Sequence, residues 1–127
     1  MRATELMIGD WVEVIQSDHL KFVQVGEIHR TSIITKPAEY EEEEIDLQNI
    51  KSIPLTSKIL EKNVFKKRNK YYYITIENKD TRYCVEYDTE SKKLTVNNVW
   101  FVINEVRYVH ELQHAMKLCG IDINIEL

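Results

Sequence analysis

The chain has 127 residues, 43% of them hydrophobic and 30% charged, with a formal net charge of −4. That length supports one ordinary domain or two very small ones, and three glycines with two prolines leave little room for disordered linkers. No apolar run reaches the roughly 18 residues of a membrane span. The start MRATELMIGDWVEV also lacks a signal peptide's apolar core. A cytoplasmic protein with no membrane partner is expected, and the negative charge speaks against a generic nucleic-acid binder. The charge is uneven: residues 1–54 hold 5 Lys/Arg against 11 Asp/Glu, a balance of −6, and residues 55–127 hold 12 against 10, a balance of +2.

The first third alternates with period two. Val12 and Val14 share a side of one run, Val23 and Val25 of the next, and Ser32 to Thr35 is a third short strand. Gly9-Asp10 opens the first run, Ser17-Asp18 sits in the first connection, and Gly26 marks a bulge or sharp bend. Short bent strands of this kind predict a small SH3-like β-barrel over residues 1–54. Glu41, Glu42, Glu43 and Glu44 would repel one another in a packed strand. They are placed on a solvated loop or edge, available as a docking surface for a basic partner. The run has no turn glycine and does not spell a calcium loop.

Pro54 then stops the strand pattern, and a subdomain boundary is predicted near it. Thr56 caps a short helix that turns Ile59 and Leu60 inward and ends at Asn63, a residue tolerant of the left-handed position. Four β runs follow, YYYITIEN, TRYCVEYD, KLTVN and WFVINEV, separated by turn residues. They predict a four-stranded antiparallel meander with Tyr72, Ile74 and Ile76 on one face, matched by Tyr83, Val85 and Tyr87, then by Leu94 and Val96. A helix is predicted over 107–119, stopped by Gly120. The alternating tail IDINIEL either forms a last strand or packs across the sheet. The fold class is therefore α+β: the barrel, then helix, meander and C-terminal helix over residues 55–127.

Within that last helix, His110-Glu111-Leu112-Gln113-His114 spells H-E-x-x-H, in which two histidines on one helical face bind zinc and the glutamate acts as general base on its water. A catalytic zinc takes a third protein ligand, yet after His114 only Asp122 and Glu126 carry carboxylates, and Lys117 stands where the extended motif needs glycine. On a helical wheel Tyr108, Val109, Leu112, Ala115, Met116 and Cys119 form the apolar stripe, which places His110, His114 and Lys117 opposite it, toward solvent or a subdomain contact. His110 and His114 remain a candidate metal pair and, at one further remove, a zinc hydrolase.

A second constellation interleaves Lys62, Lys66, Lys67, Arg68 and Lys70 with Phe65, Tyr71, Tyr72 and Tyr73. Cations for phosphates beside stacking tyrosines suggest a nucleic-acid contact through residues 62–73; the alternative is a lysine-rich turn leading into a packed strand. Cys84 and Cys119 are expected to be reduced packing thiols, and Trp11, Trp100 and Phe101 core residues. No P-loop, dinucleotide fingerprint, nucleophile elbow or Cys/His nucleophile pair occurs, so neither a cofactor nor a catalytic residue is assigned.

LMIGDWV at Leu6 to Val12, IPLTSKIL at Ile53 to Leu60 and VHELQ at Val109 to Gln113 occur in that order. In these stretches the chain resembles, over nearly its whole length, a group of small proteins of anaerobic gut bacteria and their phages that has no assigned activity. His110, Leu112 and Gln113 fall on that group's pattern, which often has Gln where this chain has Glu111 and Asn where it has His114. The resemblance implies that H-E-x-x-H is a chance spelling of a structural helix. The expected function is a non-enzymatic cytoplasmic binding or adaptor protein, phage- or mobile-element-related, acting through protein contacts, with Lys66, Lys67, Arg68, Tyr71 and the glutamate run as interaction residues. The alternatives are a nucleic-acid-binding accessory protein and the metal site.

Overall fold

The computed structural model describes residues 1–15, 21–37, 41–78, 80–97, 99–100 and 105–127. It is a mixed α+β chain with two antiparallel five-stranded sheets. The chain divides into two compact units, one of Met1–Ile53 with Tyr108–His110, the other of Pro54–Arg107 with Glu111–Leu127.

The first unit opens with a 3₁₀ turn, Ala3–Glu5, and continues with β1 (Trp11–Val14), β2 (Lys21–Ile28), β3 (Ser32–Thr35), β4 (Glu44–Asp46), a second 3₁₀ turn (Leu47–Asn49) and β5 (Ile50–Lys51). Sheet order is β4-β3-β2-β1-β5, so the last strand returns to the first, with Glu13 opposite Lys51 and Val14 opposite Ile50. No ladder joins β4 to β5 among the described residues, and no closed barrel is found. The period-two valines do what alternation demands: Val12, Val14, Val23 and Val25 are buried in one core with Leu6, Ile33, Ile45, Leu47 and Ile50. The β2–β3 register slips between Val25 and Glu27, and Gly26 sits at that bulge. A Cβ at Gly26 would come within 3.1 Å of the Ile34 carbonyl oxygen, so a side chain there would press on the β3 backbone by a few tenths of an ångström. Ser17-Asp18 and His19 lie outside the described residues.

The second unit holds α1 (Ser57–Lys62), then β6 (Lys66–Arg68), β7 (Tyr71–Asn78), β8 (Thr81–Asp88), β9 (Leu94–Val96) and β10 (Val99–Trp100), in the sheet order β10-β9-β8-β7-β6. Thr56 caps α1 by accepting the Ile59 N–H at 3.3 Å, and Leu60 is the fully buried residue of its inner face. Asn63 is not the left-handed residue: its φ is −96°, and Val64 takes that position at +68°. Of the predicted inner face, Tyr72, Val85, Tyr87, Leu94 and Val96 are buried, whereas Ile74, Ile76 and Tyr83 are half-buried. The meander gains a fifth strand, β6, where the sequence suggested a lysine-rich turn. Of the run WFVINEV, residues 101–104 lie outside the described set, as does the Trp100 side chain.

α2 spans Val109–Leu118 and ends in paired bonds, Ile121 N–H to Met116 O at 2.9 Å and Gly120 N–H to Lys117 O at 3.0 Å, with Gly120 at φ +70°. That is a Schellman ending, and its buried Ile121 and Met116 supply the accompanying apolar pair. The tail after it is not a strand. Ile121 and Ile125 are buried, and the Asn63 side chain holds Glu126 by both backbone groups, donating to its O at 2.8 Å and accepting from its N–H at 2.7 Å. No helix among the described residues is long and apolar enough to cross a membrane.

Candidate functional site

The H-E-x-x-H helix differs from its wheel. His110 is only 6% exposed and Gln113 only 8%, alongside the expected Val109, Leu112, Ala115 and Met116, whereas Lys117 and Leu118 are the exposed positions. The placement of His110 toward solvent is therefore corrected. Burial reaches well beyond the apolar stripe, because a wheel sees one helix and not what surrounds it. The His110 ring stacks on that of Tyr108 with centroids 5.9 Å apart and planes 10° apart. Glu111 accepts the Arg107 N–H at 2.9 Å just before the first turn, a helix-start bond of the kind a third-position glutamate makes in a capping box. His114 is half-buried, Asp122 and Glu126 are exposed, and among the described residues no three His, Cys, Asp or Glu side chains come together as a metal set would require.

The basic segment is brought together. β6 pairs with β7 so that Lys66 faces Tyr73, Lys67 faces Tyr72 and Arg68 faces Tyr71, through a two-residue connection in which Asn69 takes φ +58°. β7 in turn sets Tyr71 opposite Asp88 and Tyr73 opposite Glu86. Directly opposed residues share a face, so two rows cross one face of the sheet: Lys66–Tyr73–Glu86, and Arg68–Tyr71–Asp88, whose Asp88 is buried. Each row runs cation, aromatic, carboxylate from the edge inward. Lys66, Lys67 and Arg68 are all exposed and make no ion pair with a described residue. Neighbouring cations are engaged: Lys62 bonds the Leu127 carbonyl, and Lys70 lies 3.5 Å from Asp88, 3.7 Å from Glu90 and 5.5 Å from the Tyr71 ring centre. Asp88 chiefly, then Tyr71, hold the Lys70 ammonium above the usual lysine range against an opposing effect of desolvation, with Glu90 adding a lesser push upward. Phe65 and Tyr72 are buried, Tyr72 donating its hydroxyl to Glu61 at 3.0 Å, which leaves Tyr71 and Tyr73 as the outward rings.

The glutamate run belongs to the other unit, and all four of its members are exposed. Glu44 lies in edge strand β4 and accepts the Ser32 hydroxyl at 2.8 Å. Glu43 exchanges bonds with Thr35 and pairs with Lys21. Glu41 and Glu42 bond no described residue. His29 is exposed, 3.4 Å from Glu27. Cys84 proves exposed and Cys119 half-buried, so the expectation of two buried thiols is corrected: Cys84 occupies the outward alternation of β8 opposite Thr75. Trp11 is half-buried.

Two features escaped the sequence reading. Val64 combines a left-handed backbone with 73% exposure, two residues before the basic strand. Only its position after Asn63 at a helix end hinted at this. The other is a cleft in the first unit lined by Arg2 and Arg30, cations 28 positions apart that no local pattern could join. Comparison with protein-family models, curated proteins and solved structures finds nothing that matches this chain.

Proposed function

We propose that this chain is a non-enzymatic cytoplasmic binding protein that takes an extended acidic segment of a partner protein along the open edge of β6. The observation that carries the reading is the pair of rows crossing β6, β7 and β8. An edge strand turns alternate backbone groups away from its sheet, ready to pair with another strand. Lysine and arginine on that edge repel basic strands, disfavour neutral apolar ones through the cost of desolvating an unpaired charge, and complement an acidic one, so the same residues that guard against aggregation select a partner. A polyanion spread over the sheet face would lie beside the half-buried Glu86, whereas one running along the edge meets only Lys66, Lys67 and Arg68. This ordering favours an edge-bound acidic peptide over a single nucleic-acid strand stacked across the tyrosines. Val64 adds an exposed apolar contact at the start of that edge.

In the first unit, the strand order β4-β3-β2-β1-β5 and the 3₁₀ turn before β5 favour an SH3-like barrel as its finer description. That description carries no activity by itself.

The test is fluorescence polarisation with a labelled ten-residue peptide alternating Glu and Val, its Lys/Val counterpart and an oligothymidine. The acidic peptide is expected to bind, with affinity falling as salt rises. Lys66→Glu/Arg68→Glu should abolish it. In a two-residue hairpin the pair beside the turn is bonded, so Lys67 turns its backbone outward and Lys67→Pro should weaken peptide binding without unfolding the sheet. No binding of the acidic peptide, or tighter binding of the oligothymidine with the same dependence on Lys66 and Arg68, would overturn the reading.

A further inference from the structure

The acidic first unit carries five cations, Arg2, Lys21, Arg30, Lys36 and Lys51. Lys21 is paired with Glu43 and Lys51 with Glu13 at 3.2 Å. Arg2 and Arg30 have no carboxylate within ion-pair distance among the described residues, although the surrounding unit has a balance of −6. Both line one cleft of about 730 Å³, within the size range of small-molecule sites. Its walls come from three separate places: Met1 and the first 3₁₀ turn with Thr4, the β2–β3 connection with Thr31, and the segment from Asp46 into the second 3₁₀ turn, with Leu47 among the apolar lining.

These walls are pinned by backbone bonds rather than by the arginines. Leu47 N–H donates to Thr31 O at 3.0 Å, and Leu6 N–H closes the first turn on Ala3 O at 3.2 Å. The guanidiniums are thus left available at a pre-formed site. Two planar forks and two threonine hydroxyls offer more donors than the two oxygens of a carboxylate use, and their charge matches a phosphate dianion. Asp46 can only accept hydrogen bonds when ionised and repels bare phosphate, so it complements donors on the body of the ligand. We propose that this cleft binds a small organic phosphate whose body carries hydroxyl groups, with Arg2 and Arg30 on the phosphate and Asp46 on a hydroxyl. The site is independent of the β6 edge.

Amide NMR shifts of the full chain test it, using ribose 5-phosphate, inorganic phosphate, ribose and gluconate as probes. Ribose 5-phosphate is expected to shift the Thr4, Thr31 and Leu47 amides in a saturable way; inorganic phosphate should do so more weakly, and ribose not at all. Arg2→Gln and Arg30→Gln, with otherwise unchanged spectra, should each weaken ribose 5-phosphate by at least about tenfold, the loss of one charged hydrogen-bonding group. Asp46→Asn should weaken ribose 5-phosphate and leave inorganic phosphate equal or tighter. The proposal is overturned if those three amides do not move at millimolar ribose 5-phosphate, if both arginine variants bind as wild type, or if gluconate binds more tightly. It is equally overturned if the shifts centre on residues 66–70, which would mark general anion binding at the basic strand.

Discussion

Val64 is where residue chemistry and backbone conformation conflict most. A left-handed backbone costs an L-residue roughly 1–2 kcal/mol through contact between Cβ and the following carbonyl, and a β-branched side chain is the least suited to it. At 73% exposure its side chain returns little of that by burial. Val64→Gly should therefore stabilise the protein by about 0.5–1 kcal/mol after glycine's larger unfolded-state entropy is counted, read as a higher urea midpoint at unchanged slope. The same change should weaken acidic-peptide binding if Val64 contacts the peptide; a lower midpoint would show instead that the valine side chain holds the turn. Tyr87 makes a second residue-scale prediction. Its hydroxyl is buried and donates to the Val106 carbonyl. Burial first, then the charges of Glu111 and Asp88, push its ionisation up to about 12 from an ordinary 10. The neutral phenol is thus favoured in the folded state, and the stability it supplies is complete below pH 10 and lost as pH rises toward about 12. Tyr87→Phe should remove that alkaline loss from a stability–pH profile while lowering stability at neutral pH; an identical alkaline slope in the variant would assign the loss to other groups.

At the scale of elements, the two α-helices solve the same termination problem with different residues. α1 ends with Phe65 N–H on Leu60 O and Val64 N–H on Glu61 O, the same bond pair that closes α2 at Ile121 and Gly120. Gly120 and the Thr56 cap were legible because their residue types advertise the geometry; Val64 was not, because its type argues against it. The strands divide the same way. β7 and β8 carry eight residues each with one apolar face, a signal that period two exposes. β4, β5 and β6 are two or three residues long at sheet edges, where pairing on one side suffices and no apolar alternation is needed, so KKR reads as a turn and EID as part of a charge run. The tail illustrates a third case. Its alternating Ile121, Ile123, Ile125 and Leu127 suggested a last strand or a segment packed across the sheet; Ile121 and Ile125 are buried, Ile123 and Leu127 half-buried, and its pairing partner is the Asn63 amide rather than a strand. Because Asn63 also donates to Ile59 O at 2.8 Å, one side chain joins the end of α1 to the end of the chain. Asn63→Ala should cost about 1–3 kcal/mol, the range for leaving such groups unpaired, and should abolish hydrogen-exchange protection at the Glu126 amide first. Persistent protection of Glu126 in that variant would mean that the buried isoleucines alone hold the tail.

For the whole molecule the governing asymmetry is electrostatic. The first unit carries −6 and the second +2, and each has a charged strand at a sheet edge, β4 with Glu44 and Asp46 and β6 with Lys66, Lys67 and Arg68. Single-sign edges suppress pairing between like edges of two copies, but they attract unlike ones across the distance over which salt leaves charges visible. At about 10 mM ionic strength that distance is roughly 30 Å, enough for the second unit of one copy to attract the first unit of another; at 0.15 M it shrinks to roughly 8 Å. Sedimentation velocity should therefore show weak, reversible, concentration-dependent association at low salt that disappears near 0.15 M. Reversing all three cations, Lys66→Glu/Lys67→Glu/Arg68→Glu, changes the second unit by six charges, from +2 to −4, and should leave a monomer at both salts because the two units then repel. Association that survives 0.15 M salt, or that persists in the triple variant, would place its origin in apolar surface such as Ile8, Ile15 or Leu118, exposed by 56%, 53% and 73%, and not in the charged edges. Because a hydrophobic contact strengthens with salt while an ionic one weakens, the sign of the salt dependence alone separates the two.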